Sequence, residues 1–389
     1  MNLPCHFGGD YVDGEIAPVL RDIIPQGAGR RHWIRMLGLE RDPAQAIDAR
    51  LLAEGCIAPI GNLRIREAAE AFEESLETQS VQWFSRDDIS TRAEGVIDYA
   101  QGLGLAIGGG TGAGGDAPKL LLVENRKGQF AFEGTVPETE IHRHWLVKFP
   151  RGRKTADDIA VLQGEAAIYA ALEALDFNTI RDSSLWETES RHALWLPRFD
   201  REVTHHGILR HGVESIYSLV GRIGDGAALD HEQVFDRMKT CVTQPADPDQ
   251  LLADYLIRDV LNTAIANRDN HGRNTALIKL EKDIALAPAF DLAPMALDPE
   301  GIARTTVWPR ELRASNGMDP NYPKVINTLA DMPERAAGLF RDELRKLAPL
   351  REELVRQGAP APMMALPALQ VDVIGQVIAE MDRMLGTGE

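Results

Sequence analysis

Residues 250 to 294, QLLADYLIRDVLNTAIANRDNHGRNTALIKLEKDIALAPAFDLAP, limit what this chain can fold into more than any other stretch. From Leu251 to Ala266, the apolar residues Leu252, Tyr255, Leu256, Val260, Ala264 and Ile265 recur mostly at three- and four-residue steps, which predicts a helix with a buried face. A polar knot follows. Asn267 to Asn274 carries seven polar or charged side chains and one glycine, the composition of a dense loop. Thr275 to Leu280 and Ile284 to Ala289 then alternate as two strands around the turn Glu281-Lys282-Asp283, and the second strand delivers Phe290-Asp291.

An Asp, an Asn five positions later and an Asp beyond a hairpin match what phosphoryl transfer requires in the manner of protein kinases. One carboxylate orients and deprotonates the attacking hydroxyl, while a carboxamide oxygen and a second carboxylate hold the metal ions that bridge the nucleotide phosphates. Asp269, Asn274 and Asp291 fill these places in order. A lone D-x-x-x-x-N is common in solvated turns. The helix before it and the hairpin ending in Phe-Asp after it make this one specific.

At 389 residues the chain is long enough for two or three domain-sized units. Its formal charge of −17 excludes non-specific attraction to nucleic acid or to an anionic membrane. Cys5, Cys56 and Cys241 lie far apart with no C-x-x-C pair, so neither a disulfide framework nor a thiolate zinc site is expected. A reducing compartment fits this cysteine usage. The first residues lack a basic flank and an apolar core, and no stretch approaches 18 uninterrupted apolar residues. A cytoplasmic location is expected.

Ahead of the central stretch, short helices are expected over Arg30 to Leu39, Pro43 to Glu54 and Ile65 to Glu77. The second has Asp42 as N-cap and Pro43 as its first residue. Cys56 to Leu63 reads as strand and turn. The glycine tract from Gly108 to Lys119 contains Gly110, Gly112 and Gly115 in G-x-G-x-x-G spacing, but a strand rather than a helix follows it and no G-K-[ST] is present. Dinucleotide and P-loop readings therefore fail. A strand-linking phosphate cover remains, beside a plain flexible loop.

His144 to Phe149 reads as a strand with Lys148 near its end. A lysine among apolar residues needs an anion, or else snorkels from a sheet edge. The helix Asp157 to Leu175 carries Glu165, which either pairs with Lys148 or lies on an exposed face. His142 and His144 are read as surface residues without a third metal ligand. Ala193 to Arg201 breaks at Pro197 and turns charged, as an interlobe connector or an edge strand would, with Phe199 placed to face an adenine ring. Helices are expected over Gly212 to Val220, Asp230 to Val242, Tyr322 to Asp331, Pro333 to Leu347 and Val371 to Leu385. Residues 298 to 320 are irregular.

The runs NRDNHGRN, LAPAFDLAPM, LPRFDR and HWLVKFP, with LRDIIPQGAGRR and IAPIGNL earlier in the chain, resemble the HipA family of serine/threonine kinases, toxins of type II toxin–antitoxin modules. The likeness spans roughly residues 17 to 385. It implies an α+β, bilobal, protein-kinase-like fold. Residues 1 to 196 would form a mixed α/β N-terminal lobe, 197 to 201 the connector and 202 to 389 a mainly helical catalytic lobe.

By position, the resemblance makes Asp269 the catalytic base and Asn274 and Asp291 the magnesium ligands. It assigns Gly114, Gly115, Lys119, Lys148, Glu165, Pro197, Arg198, Phe199, Asn270, His271 and Phe290 to ATP. Thr111 is the one hydroxyl in the glycine tract, hence the candidate for autophosphorylation. A protein substrate such as an aminoacyl-tRNA synthetase and a HipB-like helix-turn-helix antitoxin are the implied partners. Three departures stand out. Gly114 to Lys119 replaces a glutamine-containing loop, Pro197 stands where a glutamate is usual, and the N-terminal lobe is short. A nucleotide-binding pseudokinase or scaffold, and a small-molecule kinase of the same superfamily, are the alternatives that keep the fold.

Overall fold

The computed structural model describes residues 16–57, 59–76, 80–102, 118–151, 155–224, 226–298 and 301–387. The chain divides into two compact units, Met1–Leu162 with Ile180–Glu214, and Gln163–Thr179 with Ser215–Glu389.

In the first unit, helices α1 (Pro18–Arg21), α2 (Gly27–Leu37), α3 (Ala44–Gly55), α4 (Arg66–Leu76), α5 (Arg86–Thr91) and α6 (Glu94–Gly102) precede a sheet. Its strands are β1 (Lys119–Glu124), β2 (Phe130–Phe132), β3 (Arg143–Lys148), β4 (Ser184–Glu187) and β5 (His192–Pro197), and a separate hairpin is made by β6 (Arg201–Thr204) and β7 (Gly207–Arg210). The sheet order is β2-β1-β3-β5-β4, antiparallel throughout. Alternation sends Leu120, Leu122, Trp145, Val147, Phe149 and Trp195 into one core with Leu51, Ile89 and Tyr99 from the helices. Each such side chain contributes about 1.5–3 kcal/mol on burial. The opposite face carries Lys119 and Lys148, which are direct partners in the β1–β3 ladder.

Helix α7 (Ala156–Ala174) starts in the first unit and ends in the second, and strand β8 (Gly212–Ser215) also reaches the boundary. The second unit contains α8 (Ile216–Leu219), β9 (Leu229–Asp230), α9 (His231–Lys239), α10 (Pro248–Ala264), β10 (Ala276–Lys279), β11 (Ile284–Leu286) and β12 (Thr306–Val307). Helices α11 (Tyr322–Leu329), α12 (Pro333–Lys346), α13 (Leu350–Arg356), α14 (Ala361–Met364) and α15 (Val373–Met384) complete it. The Asp247 carboxylate accepts from the Asp249 N–H at 3.1 Å and Pro248 opens α10, a regular helix start. This helix is buried on nearly all sides and packs on α12 and α15, so it is the axis of the unit. Register in the β10–β11 hairpin pairs Leu277 with Leu286 and Lys279 with Ile284.

Four local expectations are corrected. Helix α3 begins at Ala44, because Pro43 is extended at ψ 146° and serves as the cap instead of Asp42. Cys56 to Leu63 holds no strand among its described residues, since Pro59 and Gly61 interrupt any ladder. Gly212 to Val220 is half strand, because the Ser215 hydroxyl accepts from the Ser218 N–H and starts the helix only there. His144 is buried, with Nδ1 3.5 Å from Glu133 Oε1. Among the described residues no helix is long and apolar enough to cross a membrane.

Candidate active site

Helix α10 ends in a polar node whose centre is Asn267, 1% exposed. Its Nδ2 donates to Asn262 Oδ1 at 2.8 Å and to the Asp291 carbonyl at 3.3 Å, while its Oδ1 accepts the Asp269 N–H at 3.1 Å. One carboxamide thus ties the helix, the loop and the segment after β11 together. Buried polar groups earn such a place only when satisfied. Asn267 is a positioning residue that motif reading passed over. Its signal was there, as an amide immediately after an apolar helix, where a side chain can bridge the orphan backbone groups of the helix end.

Within the loop, the Asn274 Nδ2 donates to the Asp269 carbonyl at 2.7 Å, and the His271 N–H donates to the same oxygen at 3.0 Å. The Asp269 backbone is therefore pinned from both sides. His271 Nε2 stands 3.6 Å from Asp269 Oδ1, and its ring stacks on Tyr217 at 6.1 Å. Asp291 has φ 56°, a left-handed conformation that a non-glycine residue keeps only when its surroundings impose it. They do so through the Tyr169 hydroxyl, which accepts the Asp291 N–H at 2.8 Å, and through Asn267 on its carbonyl. Asp269, Asn274 and Asp291 are thereby joined into one node. Behind the loop, a cavity of about 20 Å³ is walled by His231, Tyr255, Asp259, Asn262 and Asn270, space for roughly one water.

Gly272 is required sterically. A Cβ there would lie 2.6 Å from both Leu229 Cδ1 and Tyr217 Cδ1. Gly272→Ala should therefore cost about 1–3 kcal/mol by overpacking, read as a lower denaturation midpoint. An unchanged midpoint would mean that Tyr217 swings aside freely.

The donor set suits magnesium. The Asn274 nitrogen is used on the Asp269 carbonyl, so its Oδ1 is the atom that would serve as a neutral ligand, and Asp291 would add a carboxylate. Two hard oxygen donors leave the other coordination positions to phosphate and water, as magnesium requires. Among the described residues no three His, Cys, Asp or Glu side chains converge as a metal cage.

The remaining expected residues are spread over both units. Lys119 and Lys148 are buried, on the same face and at the same rung of the first unit's sheet. Glu165 is buried in the part of α7 that belongs to the second unit. Asn270 is buried in the loop, and Phe290 is half-buried just before Asp291. Pro197 pairs with Trp145, and Phe199 is half-buried. The Arg198 guanidinium is committed elsewhere: Nε donates to Asp200 at 2.9 Å, Nη1 to Glu133, and Nη2 to Asp200 at 2.6 Å and the Pro59 carbonyl at 3.2 Å. Gly114, Gly115 and Thr111 lie outside the described residues.

Residues 111–349, well over half of the chain, match the family described as the HipA-like C-terminal domain. The chain belongs to the HipA family. Its fold is similar to that of HipA from Shewanella oneidensis MR-1, solved with HipB and its operator DNA, at 18% identity and TM-score 0.54, over 95% of this chain and 85% of that one. The Helicobacter pylori proinflammatory kinase CtkA aligns at 13% identity and TM-score 0.38, over 68% of this chain and 94% of its own. No curated protein matches the chain. The HipA-family fold here is α+β and kinase-like, with a sheet-bearing first unit and a mainly helical second.

Proposed function

We propose that this HipA-family chain is an ATP- and magnesium-dependent serine/threonine protein kinase, a cytoplasmic toxin that acts on a protein of the translation machinery such as an aminoacyl-tRNA synthetase. The observation that carries this reading is the Asn267 node, which holds Asp269, Asn274 and the left-handed Asp291 in a single hydrogen-bonded unit. When bound, magnesium neutralises phosphate charge and fixes the phosphates for in-line transfer. Asp269 accepts the proton of the substrate hydroxyl, from a backbone that cannot rotate away because both its N–H and its carbonyl are engaged. Asn274 and Asp291 hold the metal. Lys119 and Lys148 supply two ammonium groups to the phosphates, and Glu165 is the partner assigned to Lys148. Pro197 to Phe199 frame the adenine as the interlobe connector.

The Shewanella relative's complex with HipB and DNA supports a helix-turn-helix antitoxin as partner for this chain as well. The net charge of −17 fits a basic partner that carries it to DNA. Thr111 is the proposed autophosphorylation site.

Incubation with γ-labelled ATP and magnesium should label the chain or a co-expressed protein, and Asp269→Asn should lose that label. Equal label on both proteins would remove Asp269 as the base. A phosphopeptide map in which Thr111 is never modified would remove the autophosphorylation site alone.

A further inference from the structure

Sheet alternation separates two positively charged places in the first unit. Lys148 belongs to the face shared with Lys119, whereas Phe149, the next residue, points into the core on the helix side. On that second side an open-mouthed cavity lies where the end of β3 meets α5 and the β4–β5 turn. Its enclosed part is about 20 Å³, within about 350 Å³ that includes the mouth. Ser90, Arg92, Phe149, Ser190, Arg191 and His192 line it.

Arg92 is held firmly. It ends α5 at φ 52°, with its N–H bonded to the carbonyls of Asp88 and Ile89, and its guanidinium lies 5.5 Å over the Phe149 ring. Its Nε is buried and donates to no acceptor among the described residues. Arg191 sits in the β4–β5 turn, fixed by a Thr188 N–H bond to its carbonyl at 2.8 Å and by its own N–H to the Thr188 hydroxyl at 3.2 Å. Burial and the charge of Arg191 both push the Arg92 guanidinium below its ordinary value. Arg92 is half-buried, and the like charge of the exposed Arg191 nearby adds to the cost of keeping its cation there. The Ser90 hydroxyl accepts from Trp195 Nε1 at 3.0 Å, which leaves its O–H to donate. His192 adds a ring whose Nε2 is 3.9 Å from the half-exposed Glu187, and no carboxylate lines the cavity among the described residues.

We infer that Arg92 and Arg191, with Ser90 and Ser190, form a binding site for a single phosphate dianion on the helix-side face of the first unit's sheet, separate from the face that carries Lys148. Two guanidinium groups match the charge of a phosphate, and planar donors plus hydroxyls match its oxygens. The enclosed part has room for one phosphate oxygen, with the rest of the group at the open mouth, and none for a nucleotide base. A ligand there ties the β4–β5 turn to α5 and stiffens the end of β3 from the side opposite the nucleotide lysines. The inference therefore adds a second anion site to the proposed kinase but stands without it.

The test is calorimetric titration of the full chain with inorganic phosphate at fixed ionic strength and without nucleotide. Saturable binding is expected. Arg191→Gln, an exposed and structurally harmless change, should weaken it about tenfold or more. Arg92→Asn, which tolerates positive φ, should do the same, while Lys148→Met should leave it intact. Acetate should bind more weakly than phosphate. Titration with glycerol 3-phosphate assigns the source, since tighter binding than phosphate marks a monoester site and weaker binding marks a site for the free ion. Absence of saturable binding, equal affinity in Arg191→Gln, equal affinity for acetate, or loss in Lys148→Met alone would overturn the site.

Discussion

Asp291→Ala should lower the initial rate of phosphoryl transfer by about 10²- to 10³-fold, the range for removing one key group from a site that works by fixed electrostatics. The carboxylate is the charged member of the proposed metal pair, and Asn274 alone offers only a neutral oxygen. Both backbone contacts of Asp291, from its N–H to Tyr169 and from Asn267 to its carbonyl, survive truncation of the side chain, so the loop should remain in place. Alanine at φ 56° does carry a conformational cost of about 1–2 kcal/mol. Asp291→Asn isolates the charge, because asparagine tolerates the left-handed region and keeps an oxygen at the same position. Both variants should be nearly inactive and Asp291→Asn should melt close to the parent. Full activity in either, at unchanged nucleotide affinity, would remove Asp291 from metal binding.

The elements that carry the second unit's candidate site were readable because they are local. An apolar helix, an eight-residue polar loop and a short hairpin sit consecutively, and α10, β10 and β11 appear within a few residues of their expected bounds. Periodicity carries such elements because each buries one face or lies wholly inside. What could not be read is how Asn267 acts. Its partners Asn262 and Asp269 are near in sequence, but Asp291 is 24 residues away, and only the fold makes one amide serve all three. The β8–α8 segment was misread for a related reason: alternation over four residues is too brief to oppose a helical pattern, and the Ser215 cap decides the boundary. His144 looked like a surface residue because its neighbour Glu133 is eleven positions earlier, across β3's own sheet. The LPRFDR run was informative in a different sense from the one its pattern suggested. Its charged side chains Arg198, Asp200 and Arg201 form a buried network inside the first unit.

Arg198→Met should destabilise the first unit by about 3–5 kcal/mol, the range for breaking a buried ion pair by removing one member. Arg198, Asp200, Arg201 and Glu133 are all buried, with side chains 1–3% exposed. Arg201 bonds Asp200 at 2.7 Å and the carbonyls of Gly61 and Pro59 at 2.8 and 3.0 Å, and the Gly61 N–H donates to Asp200 at 2.7 Å. The network thus clamps residues 59–61 to the segment after β5 and to the end of β2. Burial alone would raise the Glu133 carboxyl, but Arg198, His144 and Arg201 outweigh it and hold it well below the usual carboxylate range, and Asp200 is lowered in the same way by the two arginines.

A depressed folded value means that this stabilisation is complete above the unfolded carboxylate range near pH 4 and disappears as pH falls through the folded values. Without Arg198, two carboxylates would share one guanidinium, so the loss should shift toward neutral pH. Five of the six tryptophans lie in the first unit, so tryptophan fluorescence during denaturation follows that unit. Glu133→Gln added to Arg198→Met should restore part of the loss, since it removes the charge left unpaired, and the double variant should fall short of the sum of the singles. Strict additivity, or an Arg198→Met midpoint equal to the parent's, would mean that packing of the arginine stem and not the ion network holds residues 59–61 in place.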